Sequence, residues 1–215
     1  MKTKMINTLI LAIGLSSIAF AGEPETSANS KILLKDNGTG EKCFNENTHI
    51  INIGIGIGGV YYSGLVYGTS RRSPAFSGSY EQPWPKKLGP GYLGVGAYLG
   101  YQNASYRYDY INSSYYYEHS WNYVMVAARG AYHWDILNSE KAEVYGGAMV
   151  GLRIQTYNYA TNDPYENGNR LNDGSVYPII TAFAGARYYF AKKVAVYGEA
   201  GSGISYLTGG LSFKF

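Results

Sequence analysis

The sequence predicts an all-β protein, an eight-stranded antiparallel up-and-down transmembrane β-barrel, on the basis of three observations. Apolar and polar residues alternate with a period of two in segment after segment, which places them on opposite faces of β-strands. The chain has 28 glycines, 24 tyrosines and only 15% charged residues, a composition that fits aromatic-girdled strands better than a mixed globular core. It ends in the alternating stretch Leu207–Phe215 (LTGGLSFKF), whose last residue is aromatic. This ending is typical of the closing strand of a membrane barrel.

The first 21 residues have the features of a secretory signal peptide. Lys2 and Lys4 precede an apolar run over Ile6–Phe20, and the run ends in the A-x-A pattern Ala19-Phe20-Ala21. The alternative, a membrane anchor, is disfavoured because a spanning helix needs about 20 apolar residues. We therefore predict that residues 1–21 are removed during export and take no part in the fold.

The remaining chain divides into a polar segment and a barrel domain. Residues 22–47 are rich in Lys, Glu, Asn, Gly and Ser, which predicts a flexible periplasmic segment. The alternative is that this segment folds back as a plug. Residues 48–215 carry the alternation and are predicted to form the outer-membrane barrel. The single cysteine, Cys43, has no partner for an internal disulfide, and we interpret it as incidental.

Eight segments carry the period-two alternation. In Ile51–Gly58 every odd position is isoleucine and every even position is Asn or Gly, so one face of the strand is apolar. The seventh segment is interpreted in the same way, with Val194, Val196, Ala200 and Ile204 on its outward face. The segments cover residues 51–58, 74–82, 92–102, 121–134, 142–155, 176–190, 194–205 and 207–215.

The lengths of the connections predict the orientation of the barrel. Short links at residues 84–90, 135–141 and 191–193 alternate with long, Tyr/Asn/Ser-rich links at about 61–73, 103–120 and 156–175. Barrels of this kind have short periplasmic turns and longer outer loops. An even number of strands then returns both ends of the barrel domain to the periplasm.

The alternation sends nearly all strand charges into the interior. An eight-stranded barrel is just wide enough to be filled by side chains, so buried charges must be paired and hydrogen-bonded there. We interpret the inward charges as structural ion pairs that block the lumen, with a gated ion path as the alternative; a wide porin is excluded by the strand number. The predicted network comprises Glu81, Arg129, His133, Glu143, Arg153, Arg187 and Glu199.

Motifs that suggest chemistry are weak in this chain. Gly54–Gly59 matches the dinucleotide pattern G-x-G-x-x-G, but the match lies in an alternating strand rather than at a strand-to-helix turn. His119 and Ser120 are adjacent, and neighbours in a strand point to opposite faces, which disfavours a Ser–His catalytic pair. No histidine belongs to a spaced metal-ligand set. The net charge of +3 is too small to indicate a nucleic-acid partner. We expect no catalytic site, metal or cofactor.

The tyrosine-rich loops are the sharpest predicted surface feature. Tyrosine offers amphipathic contact area, as in binding loops, which favours an unknown extracellular ligand. The alternative is that these residues only extend the strands past the lipid and form the outer aromatic girdle. The candidate binding residues are Tyr108, Tyr110, Tyr115, Tyr116 and Tyr117.

The chain resembles the small eight-stranded outer-membrane barrels of Gram-negative bacteria, of the OmpA and OmpX type. The resemblance implies insertion by the barrel-assembly machinery, which reads the last strand and thus Leu211, Phe213 and Phe215. It also implies contact with outer-membrane lipids and lipopolysaccharide. The segments that carry it are residues 79–81, 93–101, 129–134, 185–190, 196–201 and 209–215.

The resemblance does not imply one activity, since members of this group serve as adhesins, wall anchors or stress-related coat proteins. Two other classes of small barrel are enzymes that act on lipid A. We expect a non-enzymatic integral outer-membrane protein that is structural or binds partners through its tyrosine-rich loops. The alternatives are a lipid A-modifying enzyme and a narrow ion channel.

Overall fold

The computed structural model describes residues 42–59, 69–109, 114–134, 137, 139–164 and 173–215. The predicted signal peptide, most of the polar segment and Tyr110 lie outside these residues. Within them no helix is long and apolar enough to cross a membrane. The strands are β1 (Ile50–Ile57), β2 (Thr69–Arg72), β3 (Ala75–Pro83), β4 (Gly91–Asp109), β5 (Tyr116–Trp134), β6 (Ala142–Thr161), β7 (Asp173–Ala191), β8 (Val194–Gly201) and β9 (Leu207–Lys214).

The strands close into a single antiparallel barrel. From β3 to β9 each strand pairs with the next one in the chain, and β1 pairs with β3 and with β9 to close the ring. Both β2 and β3 pair with β4, so they are two halves of one barrel strand, interrupted at Ser73-Pro74, where proline has no N–H to offer the ladder. The predicted eight-stranded antiparallel barrel is confirmed. We call the end with the β3–β4, β5–β6 and β7–β8 turns the lower end, and the opposite end the upper end.

The two faces of the barrel wall differ in chemistry. Outward side chains are apolar and exposed, as for Ile53 (60% exposed), Leu99 (57%) and Ile180 (85%). Their inward neighbours include Asn52 and Arg129, which are 1% and 2% exposed. A wall that is apolar outside and ionic inside suits a barrel surrounded by hydrocarbon, since charges are costly there.

Strands β4 to β7 are much longer than a membrane requires. They have 19 or 20 residues each, whereas a spanning strand needs about 9–11. On β5 the outward residues from Trp134 to Val124 are apolar or aromatic, with Gly130 as the exception. From Asn122 upward the outward residues are polar. The loops predicted at 103–120 and 156–175 therefore include the upper ends of these strands, at residues 103–109, 116–120, 156–161 and 173–175, which form a sheet that projects above the apolar belt.

The projecting sheet has one edge without a described neighbour. Strand β7 pairs with β6 from Asp173 onward but with β8 only from Phe183 onward. At the other side of the sheet, β2 pairs with β4 over Ala104–Arg107. Among the residues that the structure describes, no strand pairs with the outer edge of Asp173–Ala182.

The turn between β8 and β9 enters the barrel. The sequence predicts a strand over 194–205 with Ile204 facing outward, and this prediction is wrong. Strand β8 ends at Gly201, and Ile204 is fully buried. A Cβ on Gly100 would lie only 2.9 Å from the Ile204 side chain. The turn folds inward because glycine leaves space on the opposite wall of the barrel.

The lower mouth is covered by the chain before β1. Residues 42–47, the described end of the polar segment, bring Phe44 against His133, with the two rings parallel and their centroids 3.8 Å apart. Cys43 is buried, and its thiol donates a hydrogen bond to the Ser139 carbonyl at 3.2 Å. Burial raises the pKa of the Cys43 thiol to about 12, so it remains protonated and unreactive near neutral pH.

Candidate functional site

The lower half of the interior holds an ionic tier centred on Arg129. Its guanidinium donates from Nε to Glu81 at 2.6 Å, and from Nη1 and Nη2 to Glu199 at 3.1 and 2.5 Å. The same group lies 3.7 Å from the centre of the Phe183 ring. The side chains of Arg129 and Glu81 are 0% exposed. Both charges are therefore removed from water and depend on each other for compensation.

A second arginine, on β7 two strands away from β5, completes the tier. Arg187 forms an ion pair with Glu143 and donates to Asn52 at 3.3 Å. Asn52 in turn accepts a hydrogen bond from Ser212 and donates to Ser79 at 2.9 Å. This chain of contacts links β1, β3, β6, β7 and β9 across the barrel. It is a structural cross-brace, because each member has its partner on another strand.

His133 lies between the two ion pairs. Its Nε2 is 3.2 Å from Glu81 and its Nδ1 is 3.5 Å from Glu143, although neither contact has the angle of a hydrogen bond. Tyr145 adds a hydrogen bond of 2.9 Å to Glu199. The ionic tier thus brings together six of the seven charged or titratable residues predicted for the lumen.

The seventh residue lies higher in the barrel. Arg153 is half-buried on the inward face of β6, where its Cα partners are Met125 and Tyr177. Four uncharged members of the tier were not predicted: Asn52, Ser79, Tyr145 and Ser212. Their inward direction follows from parity, that is, from whether a residue has an odd or an even position within its strand.

An apolar tier closes the interior above the charges. Tyr98, Met149, Phe183 and Ile204 are each no more than 7% exposed. The cavity beside them has a volume of about 10 Å³, and the cavity at the lower mouth, next to Phe44, about 20 Å³. Each holds about one water molecule at most. The ionic tier therefore lies between an apolar layer above and an aromatic cover below.

An aromatic array covers the inward face of the projecting sheet. His119 is its centre: its Nδ1 lies 2.5 Å from the Tyr157 hydroxyl, and its ring centroid lies within 6.4 Å of five neighbouring aromatic rings. Tyr108 and Tyr117 stack with centroids 4.9 Å apart. The array consists of Tyr106, Tyr108, Tyr117, His119, Trp121, Tyr157 and Tyr159.

The predicted tyrosines fall on different faces of this sheet. Tyr108 and Tyr117 belong to the aromatic array, and the Tyr117 hydroxyl donates to Asp163 at 2.7 Å. Tyr116 has the opposite parity and packs against the Arg107 guanidinium, which lies 4.1 Å from its ring centre. Tyr115 lies just before β5. Tyr106, His119, Tyr157 and Tyr159 were not predicted because residues 103–120 and 156–175 were expected to be loop, where alternation has no meaning. Trp121 was placed at the start of a predicted strand and was not recognised as part of a binding surface.

The two motifs that could have indicated a catalytic or nucleotide-binding site, His119-Ser120 and residues 54–59, do not form such a site in the fold. His119 faces inward toward Tyr157, whereas Ser120 has the opposite parity and lies between Ser105 and Asn158 on the neighbouring strands. Gly54 and Gly56 lie within β1, where a Cβ would overlap inward side chains. Among the described residues no group of three or more His, Cys, Asp or Glu could hold a metal ion.

Solved structures with a similar fold include two bacterial barrels. One is the N-terminal β-barrel domain of OprF from Pseudomonas aeruginosa, at 15% identity, with 79% of this chain and 98% of that chain covered and a TM-score of 0.36. Another is Ail, the attachment invasion locus protein of Yersinia pestis, at 13% identity, 80% and 100% coverage and a TM-score of 0.40. Ail in complex with the heparin analogue sucrose octasulfate matches at 10% identity, 78% and 97% coverage and a TM-score of 0.38.

No protein-family model and no curated protein matches the sequence. The closed eight-stranded barrel confirms the expected likeness to small barrels of the outer-membrane class.

Proposed function

We propose that the chain is a non-enzymatic integral protein of the outer membrane of a Gram-negative bacterium, which holds its aromatic sheet outside the cell for contact with external partners. The observation that carries this proposal is the continuation of β4–β7 well above the apolar belt. On β5 the belt ends at Val124 and the strand continues upward to Tyr116, about 26 Å further along the strand at 3.3 Å per residue. The barrel then serves as the anchor of the sheet.

The apolar belt supports a membrane location. Outward residues between Trp134 and Val124 span the length of strand that crosses a bilayer. Aromatic side chains lie at its lower border, where Tyr188, Phe190 and Phe215 are 53%, 60% and 63% exposed. Aromatic rings are enriched at such borders because one end is apolar and the other is wet.

The chemistry of the aromatic array supports a binding role. Its rings are half-exposed rather than buried, and each of the seven residues carries a hydroxyl or a ring N–H in addition to its flat ring face. Such side chains supply contact area at low conformational-entropy cost. The charged residues Arg107, Asp109 and Glu118 lie on the other face of the sheet.

The orientation can be tested with single cysteines in a Cys43→Ala background. We expect a membrane-impermeant maleimide to label Glu118→Cys on intact cells, since this residue lies on the projecting sheet. The matched variant Glu140→Cys, in the β5–β6 turn, should be labelled only after the outer membrane is permeabilised. Labelling of Glu140→Cys on intact cells would contradict the proposed orientation.

The binding role can be tested with cells that display the protein on surfaces coated with mucin, a heavily glycosylated protein. We expect Tyr108→Ser combined with Tyr117→Ser to reduce adhesion. Tyr188→Ser is the control, because it removes a tyrosine from the lower border of the belt. Equal adhesion of all variants, or no adhesion above that of cells lacking the protein, would argue that the array only stiffens the sheet.

The two other functions have less support. An ion path would have to pass the apolar tier and Ile204, so we expect the protein to be silent in planar-bilayer recordings. A lipid A-modifying enzyme of the Ser–His type would need His119 near a serine hydroxyl, and Ser120 points to the opposite face. We expect lipid A mass spectra that do not depend on the protein.

A further inference from the structure

Positive charge is concentrated at the lower end of the barrel. Every lysine among the described residues lies there, in the turns, before β1 or at the end of β9, whereas only two carboxylate side chains, Glu46 and Glu140, accompany them. Six of these lysines are exposed and Lys214 is half-buried. The lysines are Lys42, Lys86, Lys87, Lys141, Lys192, Lys193 and Lys214.

The outer surface of the upper end has no such excess. There, two outward arginines are balanced by two outward carboxylates in the described part of the sheet. Arg107 is paired with Asp109 at 3.2 Å. These groups are Arg71, Arg107, Asp109 and Glu118. The barrel is therefore polarised along its axis, a property that the overall charge of +3 conceals.

Backbone contacts join part of the lysines into one arc. The Lys214 N–H donates to the Lys193 carbonyl at 2.8 Å, and the Tyr189 N–H donates to the Lys141 carbonyl at 2.6 Å. The starts of β6 and β8 and the ends of β7 and β9 thus place these lysines side by side. The basic arc, as we call the three exposed lysines Lys141, Lys192 and Lys193, is placed by these main-chain contacts next to the half-buried Lys214.

The arc lies at the height of the lower aromatic girdle. Tyr188 and Phe190, both exposed on the outer wall, directly precede Lys192 and Lys193 in the chain. Lys214 lies at the same height but faces the lower mouth, since its ammonium is 5.8 Å from the centre of the buried Tyr189 ring. A girdle of aromatic rings marks the border between hydrocarbon and headgroups, so the arc is level with the phosphates of the leaflet on this side.

We propose that the basic arc binds the phosphate headgroups of anionic phospholipids in the periplasmic leaflet. This inference rests on the proposed membrane location. Negative lipid surfaces attract clustered lysines within a Debye length, and an ammonium group satisfies phosphate oxygens as a point charge with three donors. Position favours a lipid over a soluble acidic polymer, because the arc adjoins the girdle instead of projecting into the periplasm.

The test uses the full chain refolded into phosphatidylcholine vesicles that contain one-fifth phosphatidylglycerol. Spin-labelled phosphatidylglycerol and phosphatidylcholine serve as probes, and the immobilised fraction of each gives the preference for the anionic lipid. We expect Lys192→Gln combined with Lys193→Gln to lower this preference at least about fivefold, the contribution of one lysine near an anionic surface. The matched control, Arg71→Gln with Arg107→Gln, removes the same charge from the upper end and should leave the preference unchanged.

Each outcome decides a different point. An inserted wild-type barrel with no preference for phosphatidylglycerol, or an equal loss in the control variant, would overturn the proposed lipid site. Binding of soluble, carboxylate-bearing peptidoglycan fragments without a lipid preference would overturn it in favour of a cell-wall partner. Failure of the chain to insert into any vesicle, judged by heat-dependent electrophoretic migration, would instead count against the membrane location itself.

Discussion

Removal of the central arginine of the ionic tier should destabilise the barrel strongly. The change Arg129→Met leaves the buried carboxylates of Glu81 and Glu199, whose side chains are 0% and 11% exposed, without the guanidinium that lies 2.6 and 2.5 Å away. Breaking a buried ion pair by deleting one partner costs about 3–5 kcal/mol. We expect the lower part of this range, because His133 remains 3.2 Å from Glu81.

The assay is urea unfolding of the refolded protein in detergent micelles, followed by tryptophan fluorescence. Arg107→Met is the matched control: its pair with Asp109 has side chains 48% and 70% exposed, so its loss should change the free energy of unfolding by no more than about 1 kcal/mol. Adding Glu81→Met and Glu199→Met to Arg129→Met should recover at least half of the loss, since no unpaired buried charge then remains. A cost below about 1 kcal/mol for Arg129→Met, or a further loss in the triple variant, would refute this account of the tier.

Three further predictions concern packing and assembly. Ile204→Ala should lower the free energy of unfolding by about 2–5 kcal/mol, the usual cost of such a truncation in a core, while planar-bilayer recordings stay silent because the ionic tier remains. Gly147→Ala should reduce the folded fraction on heat-dependent electrophoresis, because its Cβ would overlap the Gly130 carbonyl; Gly198→Ala, where no atom lies within 4 Å of the new Cβ, should fold normally. Deletion of Phe215 should impair assembly in cells, measured as the protein recovered in the outer membrane, and normal recovery would exclude a sorting role.

Alternation was sufficient to predict the barrel where lipid and lumen impose opposite chemistry on the two faces of a strand. In β5 the inward Arg129 and His133 alternate with outward Ala128 and Trp134, so both the strand and the direction of its side chains follow from parity. The ionic tier was predictable for the same reason. Which residues pair within it was not predictable, because the partners come from strands that are distant in the sequence.

The signal fails where the same solvent lies on both faces of a strand. On β5 above the belt, inward aromatic rings alternate with outward Ser120 and Glu118, and side chains of both kinds tolerate contact with water. The polarity pattern therefore resembles a loop, although the ladder between β4 and β5 continues up to Asp109↔Tyr116. Ile204 is the opposite case, a predicted strand residue that lies in a turn. It continues the period-two pattern, but strand β8 has already ended at Gly201. The lysines at the lower end are brought together only by the pairing of strands, and the order of residues along the chain does not reveal this pairing.

Within the described part of the chain, no strand pairs with the upper outer edge of β7, and this bears on self-association. A strand edge with free main-chain donors and acceptors can pair with a strand of another polypeptide, and natural proteins usually carry features that prevent this pairing. Pro178 sits in the middle of Asp173–Ala182 and removes one donor from the row. A second copy could therefore add only a short, interrupted ladder there, so the edge of this tall sheet is a poor template for fibres of the protein.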